Sequence, residues 1–102
     1  MNSIVELVKE LEKRPAMYLT RNYISCLKAY LDGWYQRDIN NVSDINVMDS
    51  FQVFIEQKYE SGTSHSWCDI ILFYSQDETD GLKNFFKEFN DFITVKKADN
   101  NG

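Results

Sequence analysis

The chain's single histidine, His65, stands in Gly62-Thr63-Ser64-His65-Ser66, a base beside three hydroxyls. Those residue types suit a Ser–His nucleophile pair. Neighbours in sequence rarely face each other, however, and no carboxylate is marked to orient the imidazole. Cys68 follows three residues on and could act as a thiolate with His65 as its base. Its neighbours Trp67 and Ile70 favour a buried apolar filler instead. Cys26 falls on the back of an amphipathic helix and is read as inert. There is no CxxC, no HxxxH, no EF-hand loop, no GxGxxG and no phosphate loop. Catalytic residues, a metal and a cofactor are therefore not expected.

Carboxylates are the more informative group. Residues 1–43 carry five acids against six bases, residues 44–91 carry ten against three, and residues 92–102 carry one against two. The acidity of this chain, net charge −5, is thus concentrated between residues 44 and 91. Asp49, Glu56 and Glu60 recur on the polar side of one expected helix, while Asp69, Asp77, Glu78 and Asp80 crowd the starts of two others. Asp80 and Asp91 share a further face with Lys87 between them. Acids at a helix start complement its dipole. As a group they also form an anionic face suited to a basic protein partner, speeding encounter by charge complementarity. The same charge opposes direct nucleic-acid or anionic-membrane binding. The longest apolar run, Ile70 to Tyr74, is far too short to span a bilayer, and no charged-then-apolar leader pattern is visible at the start.

The elements that must position these acids read as helices. One proline and four glycines are too few for the frequent turns of an all-β domain. Ser3-Ile4-Val5-Glu6 is a capping box, followed by Ile4, Leu7, Val8 and Leu11 on one face; Pro15 ends that helix. A second helix is expected after Asn22 as N-cap, burying Ile24, Leu27, Leu31, Trp34 and Tyr35. Asp38 to Asp44 reads as a loop. A third spans about Asn46 to Glu60, with Val47, Met48, Phe51, Phe54, Ile55 and Tyr59 on one side and Gly62 as a stop signal. Ser66 caps a short fourth helix with Asp69 as its partner, placing Trp67, Ile70, Ile71 and Tyr74 inward. Ser75-Gln76-Asp77-Glu78 is another capping box, before the stripe Leu82, Phe85, Phe86, Phe89 and Ile93. The expectation is one all-α domain over residues 1–93, a compact bundle of about five helices, with a flexible tail over 94–102. The alternative is an α+β fold with a hairpin at about 51–74.

Lys13-Arg14-Pro15-Ala16-Met17-Tyr18-Leu19 joins a helix end to an apolar hook, with Met17, Tyr18 and Leu19 expected to pack beneath the bundle. Its R-P-x-M-Y string resembles the start of the ATPase domain of type II topoisomerases. That likeness covers about seven residues and stops there, since no glycine-rich ATP lid or acidic-base helix follows. Over about residues 5–93 the chain resembles a group of small bacterial proteins. These combine the R-P-x-M-Y-L hook with a Ser-His-x-Trp and Ile-Ile patch (here Ser64-His65-Ser66-Trp67 and Ile70-Ile71) and a Phe-Phe-x-x-Phe helix (Phe85, Phe86, Phe89). Chains of this pattern occur beside polymorphic toxin genes. The resemblance implies a cytoplasmic, non-enzymatic immunity protein of contact-dependent growth inhibition type, binding a cognate toxin domain such as a nuclease. It transfers no binding residues. The expected partner-binding acids are accordingly those of the charge reading: Asp49, Glu56, Glu60, Asp69, Asp77, Glu78 and Asp80. The competing expectation is an interaction or adaptor module of unrelated role.

Overall fold

Ser3 starts the first helix as its capping box predicts. The computed structural model, which describes the backbone of residues 2–60 and 65–101 and side chains through residue 97, has Ser3 Oγ accepting from the Glu6 amide at 3.2 Å. The helix, α1, runs Ile4–Lys13 and buries Ile4, Leu7, Val8 and Leu11. The other half of its cap comes from far along the chain. Asp44 accepts from Ile4 N at 2.7 Å, from Val5 N at 3.1 Å and from Ser3 Oγ at 2.8 Å. Burial, the largest single influence, pushes the Asp44 carboxyl up. The hydrogen bonds from Ile4, Val5 and Ser3 together outweigh it and hold the group below the usual aspartate value.

Pro15 ends α1 and also opens a one-turn helix, α2, Pro15–Tyr18, since a proline at the first helical position loses no hydrogen bond. Leu19 is buried, and Tyr18 is half-buried, edge-on to Tyr30 at 5.8 Å. Met17 corrects the expectation for the hook: it is 67% exposed. One turn of helix cannot point three successive side chains inward.

The next helix, α3, covers Ile24–Arg37 and buries Ile24, Leu27 and Leu31. Its N-cap is Tyr23, not Asn22, and no side chain of its own segment caps it. Glu78 does so from across the bundle, its Oε2 accepting from Ser25 N at 3.0 Å and Ser25 Oγ at 2.9 Å. The loop expected over 38–44 contains a 3-10 turn, Ile39–Asn41. Helix α4, Val47–Lys58, buries Val47, Phe51 and Ile55, and half-buries Met48, Phe54 and Tyr59. Gly62 lies outside the described residues. The left-handed turn past α4 is taken by Glu60, with φ 52°.

Helix α5, Trp67–Phe73, is capped by Ser66, whose Oγ accepts from Asp69 N at 3.2 Å. Gln52 on α4 fixes its start on both sides: Nε2 donates to the His65 carbonyl at 2.9 Å and Oε1 accepts from Trp67 N at 2.6 Å. With α4 and α5 both helical, and no strand among the described residues, the hairpin alternative is excluded. Tyr74 turns out of the core at 58% exposed, because the helix ends at Phe73 and Tyr74 is its C-cap.

The last helix, α6, is Glu78–Asn101. Its cap falls two residues later than expected. Ser75 Oγ donates back to the Ile71 carbonyl at 2.6 Å and accepts from Asn84 Nδ2 at 2.8 Å, so Asp77 Oδ1 accepts from Asp80 N at 2.8 Å instead. The helix continues through residues 94–101, where a tail was expected. Gly81 is where α6 approaches α3: a β-carbon there would stand 3.0 Å from Ile24 Cγ2. The result is an all-α fold of six helices among the described residues, one more than foreseen because of α2. The core centres on Phe51. Its ring lies 5.3 Å from Phe89, 5.5 Å from Phe85 and Phe92, 5.7 Å from Trp67 and 6.3 Å from Phe54.

Candidate partner-binding surface

The seven acids nominated from sequence fall into two structural classes. Asp49 and Glu60 are exposed and Glu56 half-buried along and just past α4; Asp69 is exposed on the first turn of α5. The others are committed to helix ends. Asp77 caps α6, and Glu78 caps α3. Asp80 Oδ2 accepts from Gln76 N at 2.9 Å and Asn84 Nδ2 at 3.3 Å. Anionic acceptors at helix N-termini stabilise those ends.

Cations leave this surface largely uncompensated. Among the described residues, the ion pairs join Lys28 to Asp32 at 2.7 Å, and Lys58 to Glu88 at 2.8 Å and to Asp91 at 3.5 Å. None of them involves any of the seven nominated acids. Lys58, the one lysine or arginine between residues 44 and 82, pairs with Glu88 and Asp91 instead. Glu88 is 4% exposed, the one buried charged residue of the described chain. Its hydrogen bond, ahead of an opposing effect of burial and with help from Asp91, holds the Lys58 ammonium above the usual lysine value.

Of the candidate nucleophiles beside His65, Thr63 and Ser64 lie outside the described residues. Cys68 is 5% exposed, and its thiol points at the Ile24 carbonyl, 4.0 Å away. Burial, with smaller effects from Asp69 and Glu78, pushes the thiol up to about 11, so it stays protonated at neutral pH. His65 is exposed, and its carbonyl accepts from Gln52 Nε2. No group of three or more His, Cys, Asp or Glu among the described residues could hold a metal ion, and no helix is long and apolar enough to cross a membrane.

One concavity was not foreseen. A cleft of about 320 Å³ lies between α3 and α4, walled by Trp34, Tyr35, Met48 and Trp67 and rimmed by the Lys28–Asp32 pair and Asp49. The tertiary partners Asp44–Ser3, Glu78–Ser25 and Lys58–Glu88 were also missed. They join residues 41, 53 and 30 positions apart, and no local pattern marks them. The chain has no significant match among known protein families, curated proteins or solved structures.

Proposed function

We propose that this chain is a non-enzymatic immunity protein that binds a cognate bacterial toxin domain, such as a nuclease, and occludes its active site with an acidic face. The observation that carries the reading is the unpaired charge: seven carboxylates between Asp49 and Asp80 have no ion-pair partner among the described residues. A basic, phosphate-binding groove is the complementary surface. The buried, protonated Cys68 supports a binding role over a thiolate-based catalytic one. The toxin identity rests on the sequence resemblance, and the charge on the partner rests on the acidic face.

The test is co-expression with the toxin domain encoded beside this gene, scored by survival and co-purification. Recovery of a stable complex with restored growth is expected; growth arrest with no complex would overturn the reading. The electrostatic part is tested separately. Association should slow steeply with added salt, because attraction is screened beyond a Debye length of about 8 Å at physiological ionic strength. Reversing Asp49, Glu56 and Glu60 to lysine should slow it further without unfolding the domain.

A further inference from the structure

The most exposed large apolar side chain is Phe73, at 80%, and it does not stand alone. Its ring meets Tyr74 edge-on at 5.1 Å, and Tyr74 stacks on Tyr59 at 4.9 Å with the planes 29° apart. Three rings from the ends of α4 and α5 thus form a continuous surface platform. Its inner end is anchored by half-buried Tyr59, whose hydroxyl burial pushes above the usual tyrosine value. Its outer end, Phe73 and Tyr74, is exposed among the described residues. Exposed aromatics held in fixed stacks lose little freedom on binding and are the typical anchors of protein interfaces.

Acidic residues flank the three platform residues along the chain. Asp69 lies one turn before Phe73 on the same exposed face of α5. Glu56 lies one turn before Tyr59 on α4, Glu60 follows Tyr59 directly, and Asp77 follows Tyr74 by three residues. The nearest base, Lys58, is occupied by Glu88 and Asp91. A second copy of the chain would bring the same carboxylates against these, and an anionic membrane would be repelled likewise. The complementary group is a cation with a flat apolar face, and guanidinium is that group: it stacks on aromatic rings and pairs with carboxylates at its edges.

We propose that the Phe73–Tyr74–Tyr59 platform is the anchoring centre of the acidic face and receives arginine side chains of a basic protein partner. This rests on the reading of the chain as a binder of a basic protein. It adds that the grip is aromatic at its centre, with the carboxylates as guides around it.

The platform is tested with a short Gly-Arg repeat peptide and its Gly-Lys counterpart of equal length and charge, followed by amide NMR titration of the whole chain. The arginine peptide should bind more tightly, with shifts centred on Tyr59, Asp69, Phe73 and Tyr74. Phe73→Ser and Tyr74→Ser should each weaken it by about ten-fold or more, the effect of losing an interface anchor, with helical circular dichroism unchanged. Equal binding of the two peptides, unchanged affinity in both variants, or shifts centred on Asp49 would overturn the proposal. So would concentration-dependent dimerisation abolished by Phe73→Ser. The toxin domain separates this proposal from the previous one. If it binds wild type and both serine variants equally, the platform is wrong and the immunity reading stands. If it binds none while the arginine peptide binds as expected, the platform stands and the immunity reading fails.

Discussion

Two groups of aromatic rings meet different fates in this fold. Around Phe51, five rings from α4, α5 and α6 pack within 6.3 Å, and none of the group is exposed. Around Tyr74, two rings pack at similar separations, one stacked and one edge-on, yet Phe73 and Tyr74 stay in water. Ring-to-ring geometry is alike in both, so stacking alone does not make a core. What differs is closure. Helix α6 lays Phe85, Phe89 and Phe92 over Phe51, whereas α5 stops at Phe73 and, among the described residues, no element returns over its last turn. The first group supports the fold and the second is available to a partner.

The largest expected effect tests the buried group. Phe51→Ala should cost about 3–5 kcal/mol, the range for emptying a large aromatic site, read from urea unfolding. A loss below about 1 kcal/mol would mean that the surrounding rings collapse into the space, and would break the contrast.

The boundary between the groups is Lys58, which lies 5.7 Å over the Phe54 ring and holds buried Glu88. Lys58→Met should cost about 2 kcal/mol. That is less than the usual penalty for orphaning a buried charge, because the ammonium is partly exposed. Adding Glu88→Leu should recover most of the loss. Because the folded state raises the lysine value, the pair's contribution is complete below about pH 10.5 and disappears as pH rises through the raised value. Wild-type stability at high pH should therefore decline more steeply than that of the double variant.

Two controls lie away from both ring groups. Asp44→Ala should cost about 2 kcal/mol, since it removes a charged cap shared by three donors. The folded state depresses the Asp44 value. Its contribution is thus present above about pH 4 and is lost as pH falls through the depressed value, so acid melts of wild type and variant should converge there. Gly81→Ala gains about 1 kcal/mol of helix propensity but drives a methyl into fully buried, β-branched Ile24. Overpacking typically costs about 1–3 kcal/mol, so a net loss near 1 kcal/mol is expected in thermal melts. The smallest effect sharpens the comparison most: Phe73→Ser should change stability by less than about 0.5 kcal/mol. A large loss would place Phe73 in the core after all.

Much of this architecture was legible from spacing. Ile4, Leu7, Val8 and Leu11, and again Leu82, Phe85, Phe86 and Phe89, announce buried faces through a period that any amphipathic helix must obey. The caps at Ser3 and Ser66 were legible for the same local reason. Where local chemistry was ambiguous, tertiary contact decided: Asn22 yielded to Glu78, and the Ser75 cap moved to Asp77 because Ser75 had a better acceptor behind it. Glu88 was unreadable, since a carboxylate between Lys87 and Phe89 looks solvated until Lys58 is brought to it. The acids of the candidate surface were visible as charge. Their aromatic centre was not, because Tyr74 matches the inward helical template and only the end of α5 at Phe73 turns it outward.

The caps on α1 and α3 carry a consequence for the order in which the chain can become ordered. Each is completed by a residue synthesised later: Asp44 for Ile4 and Val5, Glu78 for Ser25. A nascent chain that has just exposed α1 therefore lacks the acceptor for its first amides, and α3 waits longer still. In the finished protein those amides become clocks. Exchange of Ile4 and Val5 with solvent deuterium should report each release of the 38–46 segment, and exchange of Ser25 each parting of α3 from α6. Three backbone protons would then time two separate openings of a domain that otherwise melts as one.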